Sequence, residues 1–261
     1  MNKDHIKISR KNRFITTIFI LGLMIFSGNN LQGQSKTIDV NHFDKVIVSP
    51  HIQVTFIQGD KETLTIENAS VPADKINIEV NGKTLLIYLD GAKMVTKSEK
   101  IKGDGWKRKE SIYKGTKVTA TVTYTSLQEL SLRGEETFVC VSPLIQEKFR
   151  LTIYGESKVY LNEVQLEKLQ ATIYGESFLE IKAGVVTNQK FRAYGESKID
   201  GLEIKNKNTQ ISAYGSSSFR LKILDNLKIT AFGESNITYI GGPVIDMGII
   251  IGDVTIQNID K

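Results

Sequence analysis

The chain has 261 residues and a formal net charge of +5. Residues 1–33 hold five basic side chains and one acid, so they supply +4 of this charge and leave +1 for the rest. A nearly neutral remainder lacks the basic footprint of nucleic-acid binding, and no nucleic-acid partner is predicted. The single cysteine, Cys140, excludes an intramolecular disulfide, and its place beside an apolar strand predicts a buried thiol.

The amino terminus has the order of segments that is typical of a secretory signal peptide. A basic stretch at 1–13 precedes thirteen uncharged, mostly apolar residues at 14–26, and small polar residues follow to Gly33. The apolar run is shorter than the roughly twenty residues that span a bilayer. We therefore predict a signal peptide at 1–33 and a single domain at 34–261 without a transmembrane segment. The expected location is the periplasm, the outer-membrane surface or the medium, and an uncleaved anchor is the alternative.

The segment from 43 to 89 reads as short strands separated by turn residues. Strands are predicted at 45–48, 52–57, 63–67, 75–80 and 84–89. Asn81-Gly82-Lys83 lies between the last two strands and is a strong hairpin signal. We predict that this third of the chain forms a β-rich cap, because the open end of a β-solenoid would expose unpaired strand edges.

Two further segments lie outside the regular pattern. From 91 to 115, eight lysines and arginines surround the only tryptophan, Trp106. This segment is either a solvated insertion or a loop that binds acidic glycan or phosphate. The apolar tail at 244–256 is predicted to close the last coil or to cover the open end of the core.

A four-residue phrase recurs six times between residues 132 and 235. Three copies read Tyr-Gly-Glu-Ser, at 154–157, 174–177 and 194–197. The variants are Arg133-Gly134-Glu135-Glu136, Tyr214-Gly215-Ser216-Ser217 and Phe232-Gly233-Glu234-Ser235. The six glycines are separated by 21, 20, 20, 20 and 18 residues. A period near twenty is the signature of a solenoid in which each repeat stacks on its neighbours.

Apolar and polar residues alternate within each repeat. Leu151, Ile153 and Val159 share one parity, whereas Thr152 and Tyr154 share the other. This alternation indicates strands with one buried face, and no helical stripe recurs. The sequence therefore predicts an all-β parallel β-helix with about 20 residues per coil. Glycine and serine are assigned to the inward parity, where a bend needs small residues, and tyrosine and glutamate point outward.

Stacked coils about 4.8 Å apart align like residues in rows. We predict an external aromatic row that consists of Tyr154, Tyr174, Tyr194, Tyr214 and Phe232. We predict beside it an acidic row that consists of Glu135, Glu156, Glu176, Glu196 and Glu234, interrupted at Ser216. These rows are the candidate binding residues. A row of carboxylates would recruit Ca²⁺ or be neutralised by Lys158 and Lys198, and we predict a solvated row with no metal and no cofactor.

Beyond these patterns, particular residues resemble a known family. Phe43-Asp44-Lys45-Val46-Ile47-Val48-Ser49, followed by Ile52-Gln53-Val54 and Gln58-Gly59-Asp60, is similar to the opening of the bacterial GIN domain. The Tyr-Gly-Glu-Ser phrase resembles the turn that recurs about every twenty residues in that family. The family is described as the head domain of auto-transporter adhesins, and the resemblance covers roughly 36–245. It implies a single-stranded right-handed β-helix, exported by Gram-negative bacteria, with no known catalytic residues.

Other catalytic signals are weak. After removal of a signal peptide only His42 and His51 remain, neither in a metal-ligand spacing, and Cys140 has no evident histidine partner. We predict a non-catalytic, exported binding or adhesion module whose partner is a glycan or a cell-surface protein. One alternative is a carbohydrate-active β-helix enzyme, similar to lyases or hydrolases, that uses the carboxylate face. The other is a structural envelope protein that forms homo-oligomers through the aromatic row.

Overall fold

The structure, a computed structural model, describes residues 35–103 and 106–260, without the side chains at 102, 103, 106 and 107. The predicted signal peptide at 1–33 and the side chain of Trp106 lie outside this description. The described residues belong to one compact unit. Within them, no helix is both long and apolar enough to cross a membrane.

Regular structure in the described residues consists of β-strands and one 3₁₀-helix, Ala73–Lys75. The amino-terminal strands are β1 (Lys36–Asp39), β2 (Lys45–Val48), β3 (Ile52–Gln58), β4 (Thr63–Ala69), β5 (Ile76–Asn81), β6 (Thr84–Leu89), β7 (Ser98–Gly103), β8 (Trp106–Ser111) and β9 (Val118–Tyr124). The strands of the first repeats are β10 (Glu129–Gly134), β11 (Thr137–Cys140), β12 (Leu144–Gly155), β13 (Lys158–Leu161), β14 (Val164–Gly175) and β15 (Phe178–Ile181). The last strands are β16 (Gly184–Tyr194), β17 (Lys198–Tyr214), β18 (Ser217–Phe232), β19 (Ser235–Ile240), β20 (Val244–Ile251) and β21 (Val254–Asn258).

From β10 onward the strands form two columns of parallel pairs. One column runs through β10, β12, β14, β16, β17, β18 and β20. The other runs through β11, β13, β15, β17, β18, β19 and β21, and the long strands β17 and β18 contribute to both. Equivalent residues pair across successive coils, such as Tyr154 with Tyr174 and Tyr174 with Tyr194. The predicted all-β parallel solenoid is confirmed, with about six turns.

The amino-terminal third caps this stack. β2 lies between β6 and β10, and β3 lies between β9 and β11, all in parallel. The far edges of β6 and β9 are then covered by antiparallel strands, β5 on β6 and β4 on β9, with β1 pairing with β4. The predicted hairpin joins β5 to β6, with Asn81 opposite Thr84 and Gly82 at φ +60°. Antiparallel strands therefore end the solenoid on this side.

The basic segment from 91 to 115 has more regular structure than its sequence pattern indicates. β7 and β8 form an antiparallel hairpin that is separate from the main sheet. Arg108 and Lys114 both contact the carboxylate of Glu110. Lys93 lies 3.6 Å from a carboxylate oxygen of Glu79 and 4.3 Å from the centre of the Tyr88 ring. Part of the positive charge is thus neutralised within the segment.

The interior is filled by the apolar residues of the inward parity, and the sizes of neighbouring residues compensate. Ala171 and Ile173 share one coil, whereas Phe191 and Ala193 occupy the equivalent positions of the next, and all four are buried. Cys140 is buried among these residues, and burial raises the pKa of its thiol to about 12. The thiol is therefore neutral at physiological pH, as the apolar surroundings predict.

The predicted inward position of the recurring glycine is wrong. Gly155 is exposed and not inward, and its φ is +106°. A Cβ atom on Gly155 would lie 2.3 Å from the carbonyl oxygen of Gly134, and one on Gly175 would lie 2.3 Å from that of Gly155. Any residue with a side chain is excluded at this position, because its Cβ atom would point along the stack into the backbone of the preceding coil. Glycine is thus required both by the backbone conformation and by the coil spacing.

The recurring serine is inward, as predicted, and in four coils its hydroxyl bonds to the glycine of the preceding coil, whereas Ser235 Oγ is buried without a partner among the described residues. Ser157 Oγ donates to the carbonyl oxygen of Gly134 at 2.9 Å, and Ser177 Oγ donates to that of Gly155 at 2.9 Å. Ser197 and Ser217 repeat this bond at 3.1 Å. These bonds satisfy hydroxyl groups that burial would otherwise leave without a partner.

The apolar tail forms a further coil of its own. β20 pairs in parallel with β18, and β21 pairs with β19. Met247, Ile249 and Ile251 are each more than half exposed, because no described strand lies beyond them. The tail therefore extends the stack by one coil, and Ile250, Val254 and Ile256 of this coil pack against the end of the core.

We expect Gly175→Ala to destabilise the protein by about 3 kcal/mol or more, because backbone strain and the contact with the preceding coil add together. Gly82→Ala, which has a positive φ but open space around it, should cost about 1 kcal/mol. Gly242→Ala, with neither feature, should change stability by less than about 0.5 kcal/mol. Urea unfolding followed by circular dichroism measures all three, and equal losses would contradict the stacking argument.

Candidate functional site

The aromatic row lies on the outer surface at the corner of each coil. Neighbouring ring centres along Tyr154, Tyr174, Tyr194, Tyr214 and Phe232 are 5.0, 4.9, 4.8 and 5.2 Å apart. The angles between ring planes do not exceed 8°. The alternation and the coil register together produce this geometry, since each ring projects from the same position of successive parallel strands.

This stacking limits what the rings can bind. Parallel rings about 5 Å apart leave no room for another ring between them. The guanidinium group of Arg133 lies 5.4 Å from the ring centre of Tyr154 at one end of the row. At the other end, Ile251 follows Phe232 in the register. The row therefore offers ring edges and phenol hydroxyls to a partner, and its ring faces are not free to stack on sugars.

The acidic row runs beside the aromatic row on the far side of the glycines. Its members, Glu135, Glu156, Glu176, Glu196 and Glu234, are all exposed, and Ser216 interrupts them as predicted. Among the described residues their carboxylates accept no hydrogen bond and form no ion pair, and neither Lys158 nor Lys198 neutralises them. No group of three or more histidine, cysteine or acidic side chains in the described part is arranged to hold a metal ion.

The structure adds a seventh copy of the phrase that the sequence pattern did not reveal. Ile251, Gly252, Asp253 and Val254 occupy the positions of Phe232, Gly233, Glu234 and Ser235. Gly252 has a φ of +111°, and a Cβ atom there would lie 2.4 Å from the carbonyl oxygen of Gly233. Only the glycine is retained, so its spacing of 19 residues from Gly233 was the available signal. Asp253 extends the acidic row by one coil.

A groove of about 320 Å³ lies at the first end of the aromatic row, and the sequence did not predict it. Its walls include His51, Met94, Val95, Glu136 and Tyr154. The side chain of His51 is fixed, because Nδ1 donates to the carbonyl oxygen of Gly115 at 2.8 Å and Nε2 lies 2.7 Å from Thr96 Oγ1. Its φ of +72° is unusual for a residue other than glycine. The Ser-Pro-His sequence, in place of a glycine turn, was the only signal.

Glu136 occupies the inward position that serine holds in later coils. Only 4 % of its surface is exposed, and its Oε2 accepts the backbone N–H of Glu135 at 3.0 Å. Burial raises the pKa of this carboxyl, and the hydrogen bond from Glu135 partly opposes the change. Glu136 is thus a buried acid beside the groove, whereas the adjacent Glu135 belongs to the exposed acidic row.

Glu136→Gln should stabilise the protein at about pH 7.5 and have little effect at about pH 4. Burial raises the pKa of Glu136 in the folded state above its unfolded value of 4.5. Ionisation is therefore more costly in the folded protein, and stability is lost as the pH rises from the unfolded pKa through the folded pKa. The glutamine keeps an oxygen for the N–H of Glu135 and does not ionise. Thermal unfolding across this pH range, with Glu135→Gln as the exposed control, measures the effect. A variant that is relatively less stable at the higher pH would contradict it.

Tyr174→Ala should cost about 1–3 kcal/mol, because it removes two ring contacts of about 0.5–1.5 kcal/mol each. Tyr174→Phe keeps both contacts and should stay within about 0.5 kcal/mol of the wild type. Urea unfolding of the two variants separates the contribution of the ring from that of its hydroxyl. Similar losses in both variants would show that the stacked ring is not what stabilises this corner.

The comparisons with known proteins agree with this architecture. A family model described as "Putative auto-transporter adhesin, head GIN domain" matches residues 42–243. A crystal structure described as a "putative adhesin", from Bacteroides fragilis, has a TM-score of 0.71 and 19 % identity, covering 86 % of this chain and 96 % of its own. A second "putative adhesin", from Parabacteroides merdae, has a TM-score of 0.63 and 19 % identity, covering 87 % and 95 %.

A third solved structure, from Parabacteroides distasonis, is described as a "putative lipid binding protein". Its TM-score is 0.60 at 17 % identity, and the match covers 87 % of this chain and 96 % of that one. At such identities the likeness establishes a shared fold. No curated protein matches the sequence.

Proposed function

The chain belongs to the GIN-domain family, and on that premise we propose that it is a non-catalytic, exported binding module of adhesin type. Its contact surface is the edge of the solenoid that carries the aromatic and acidic rows. The partner is a cell-surface molecule that presents positive charge and hydrogen-bonding groups to these rows. Residues 1–33 act as the signal peptide that directs the remaining domain out of the cytoplasm.

One observation supports the choice of this edge above others. Within Tyr-Gly-Glu-Ser, the rings stack, the glycine permits the coil spacing and the serine bonds to the previous coil. The glutamate carboxylates alone have no hydrogen bond or ion pair within the described part of the chain, although glutamate recurs in five of the seven copies and is replaced by aspartate in a sixth. A repeated, exposed and unpaired carboxylate is suited to an external partner.

The chemistry of the edge favours a protein surface over a stacked sugar. Aromatic side chains that bind sugars do so with a free ring face, and here the faces lie against neighbouring rings. The tyrosine hydroxyls and glutamate carboxylates instead form parallel rows of hydrogen-bonding groups. Lysine or arginine side chains on a partner surface would match the carboxylates, and such contacts weaken as salt is added.

The alternatives receive less support from the geometry. A glycoside hydrolase needs two carboxylates in different environments, whereas the acidic row repeats one environment in each coil. Self-association through the aromatic row would place two acidic rows close together, which is electrostatically unfavourable. We therefore propose that the aromatic and acidic rows bind a different kind of molecule and not a second copy of this chain.

The purified protein should bind at least one protein on an array of extracellular proteins and bacterial or host polysaccharides, and it is this protein binding that the variants test. Glu156→Gln/Glu176→Gln/Glu196→Gln should weaken that binding about tenfold or more, because it removes three adjacent charges and leaves the rings in place. The control Glu147→Gln/Glu167→Gln/Glu203→Gln changes the net charge by the same amount at exposed positions outside the row. Its affinity should stay within about twofold of the wild type.

Light scattering and circular dichroism would establish that each variant remains folded and in the same oligomeric state. Binding that survives in the acidic-row variant, or that falls equally in the control, would overturn the assignment of this edge. A wild-type protein that binds nothing on the array, or that cleaves a polysaccharide on it, would overturn the proposed function itself.

A further inference from the structure

A second surface lies on the same long strands, four residues before the aromatic row. Two rows of polar side chains form its walls and are aligned by the coil register. One wall consists of Lys148, Lys168, Asn188, Asn208 and Asn226. The other consists of Arg150, Gln170, Lys190, Gln210 and Lys228. Two cavities of about 520 and 390 Å³ adjoin between these walls at Lys168 and Gln170, and we name them together the amide–lysine groove.

The asparagines of the first wall are held in fixed orientations. Asn208 Nδ2 donates to Asn188 Oδ1 at 3.0 Å, and Asn226 Nδ2 donates to Asn208 Oδ1 at 2.7 Å. Each amide group has two N–H donors and two acceptor lone pairs, so the three asparagines of this wall retain groups for an external partner. A regular row of fixed amides, spaced about 4.8 Å apart, is therefore available along the groove.

The floor of the groove is the backbone of inward residues whose side chains point into the core, and that core becomes polar where the asparagine wall begins. The inward residues of successive coils are Phe149, Leu169, Gln189, Thr209 and Leu227. Gln189 is only 3 % exposed, and its Nε2 donates to Thr209 Oγ1 at 2.9 Å. Its Oε1 has no hydrogen-bond partner among the described residues. A buried amide with an unused acceptor is costly within an apolar core, which sets this section of the floor apart.

The groove is also strongly positive on a nearly neutral domain. Six basic side chains line it, from Lys45 to Lys228, against the two acids Glu129 and Asp246. Four of the six are paired: Glu129 contacts Arg150 and Lys45, Asp246 contacts Lys228, and Lys148 contacts its neighbour Glu147. Lys168 and Lys190, in the central part, have no ion pair among the described residues. Burial lowers the pKa of Lys190, and the nearby charges of Arg192 and Lys168 lower it further.

We propose that the amide–lysine groove binds a linear acidic polysaccharide along the axis of the solenoid. The fixed amides and glutamines match the hydroxyl groups of successive sugar units, and the unpaired lysines match carboxylates or sulfates carried by the same chain. The row spacing extends over five coils, or roughly 20 Å, so the ligand must be extended and repetitive. This site is separate from the edge that carries the aromatic and acidic rows.

Other polymers fit the groove less well. Single-stranded nucleic acid is bound by stacking of bases on exposed aromatic side chains. Among the described residues that line the groove, the one aromatic residue is Phe149, which is buried. A protein interface would have an apolar, aromatic centre, whereas the centre of this groove consists of amides and lysines. A sugar polymer requires neither feature.

The purified protein should bind polygalacturonate or chondroitin sulfate and should not bind neutral dextran at the same concentration. Lys168→Gln/Lys190→Gln should weaken binding about tenfold, because it removes the two unpaired central charges. Asn188→Ala/Asn208→Ala, which changes no charge, should also weaken it severalfold. Lys205→Gln/Lys207→Gln removes two exposed charges outside the groove and should change affinity by less than about twofold.

The acidic-row variant described above should bind the polysaccharide as well as the wild type, so failure of one proposal leaves the other intact. Surface plasmon resonance gives the affinities, and circular dichroism confirms that each variant is folded. Absence of binding to both acidic polymers, or equal losses in the control pair, would overturn the proposal. Tighter binding of an oligothymidine than of either polysaccharide would overturn the proposed class of ligand.

Discussion

The spacing between parallel coils is the constraint on which the rest of the structure depends. Parallel strands hydrogen-bond at about 4.8 Å, so any two equivalent residues of successive coils must fit within that distance. Flat rings fit it and stack, as Tyr174 and Tyr194 do at 4.9 Å. A Cβ atom at the corner does not fit it, because the carbonyl oxygen of the preceding glycine lies in its path. The repeated phrase thus recurs because each coil must fit against its neighbour at the same spacing.

The same constraint distinguishes the residues of Tyr-Gly-Glu-Ser that stabilise the fold from the one that is available to bind a partner. Tyrosine, glycine and serine are each explained by contacts between coils, so their recurrence needs no ligand. Glutamate is tolerated by the fold because it is exposed, but exposure alone would equally permit lysine, serine or threonine. The regular choice of a carboxylate at a position without an internal partner is therefore the part of the phrase that points to another molecule.

The sequence predicted the features that repeat, and of those that occur once it predicted only the β-rich cap. A period near twenty and a strict alternation were enough for the parallel solenoid and the two external rows, and the turn residues between 43 and 89 were enough for the cap. The glycine was assigned to the wrong side, because an alternation rule does not describe a corner at which the backbone has a positive φ. The groove beside His51 and Glu136 was not foreseen, since it joins residues about 80 positions apart through the cap.

The residues of the amide–lysine groove also recur about every twenty positions in the sequence. Their pattern is recognisable only once the register of the strands is known. No position carries the same residue in all three of the triplets Lys168-Leu169-Gln170, Asn188-Gln189-Lys190 and Asn208-Thr209-Gln210, so no repeated phrase marks them. Stacking converts these dissimilar triplets into two continuous walls, because each coil places its own triplet at the same point of the circumference. In a solenoid, a surface can therefore be regular in space without being regular in sequence.

The two surfaces give the outer face of one sheet a gradient of charge. Along β14 the outward residues pass from Lys168 and Gln170 to Tyr174, and the corner that follows carries Glu176. Repetition of this order in most coils produces a positive strip and a negative strip that run side by side along the solenoid, and both are interrupted in the coil of Asn208, Gln210 and Ser216. The strips lie six to eight residues apart along the chain, or roughly 20–26 Å along an extended strand, which exceeds the Debye length at physiological salt. Each strip can consequently attract its own partner with little interference from the other, and a nearly neutral domain can present two charged surfaces.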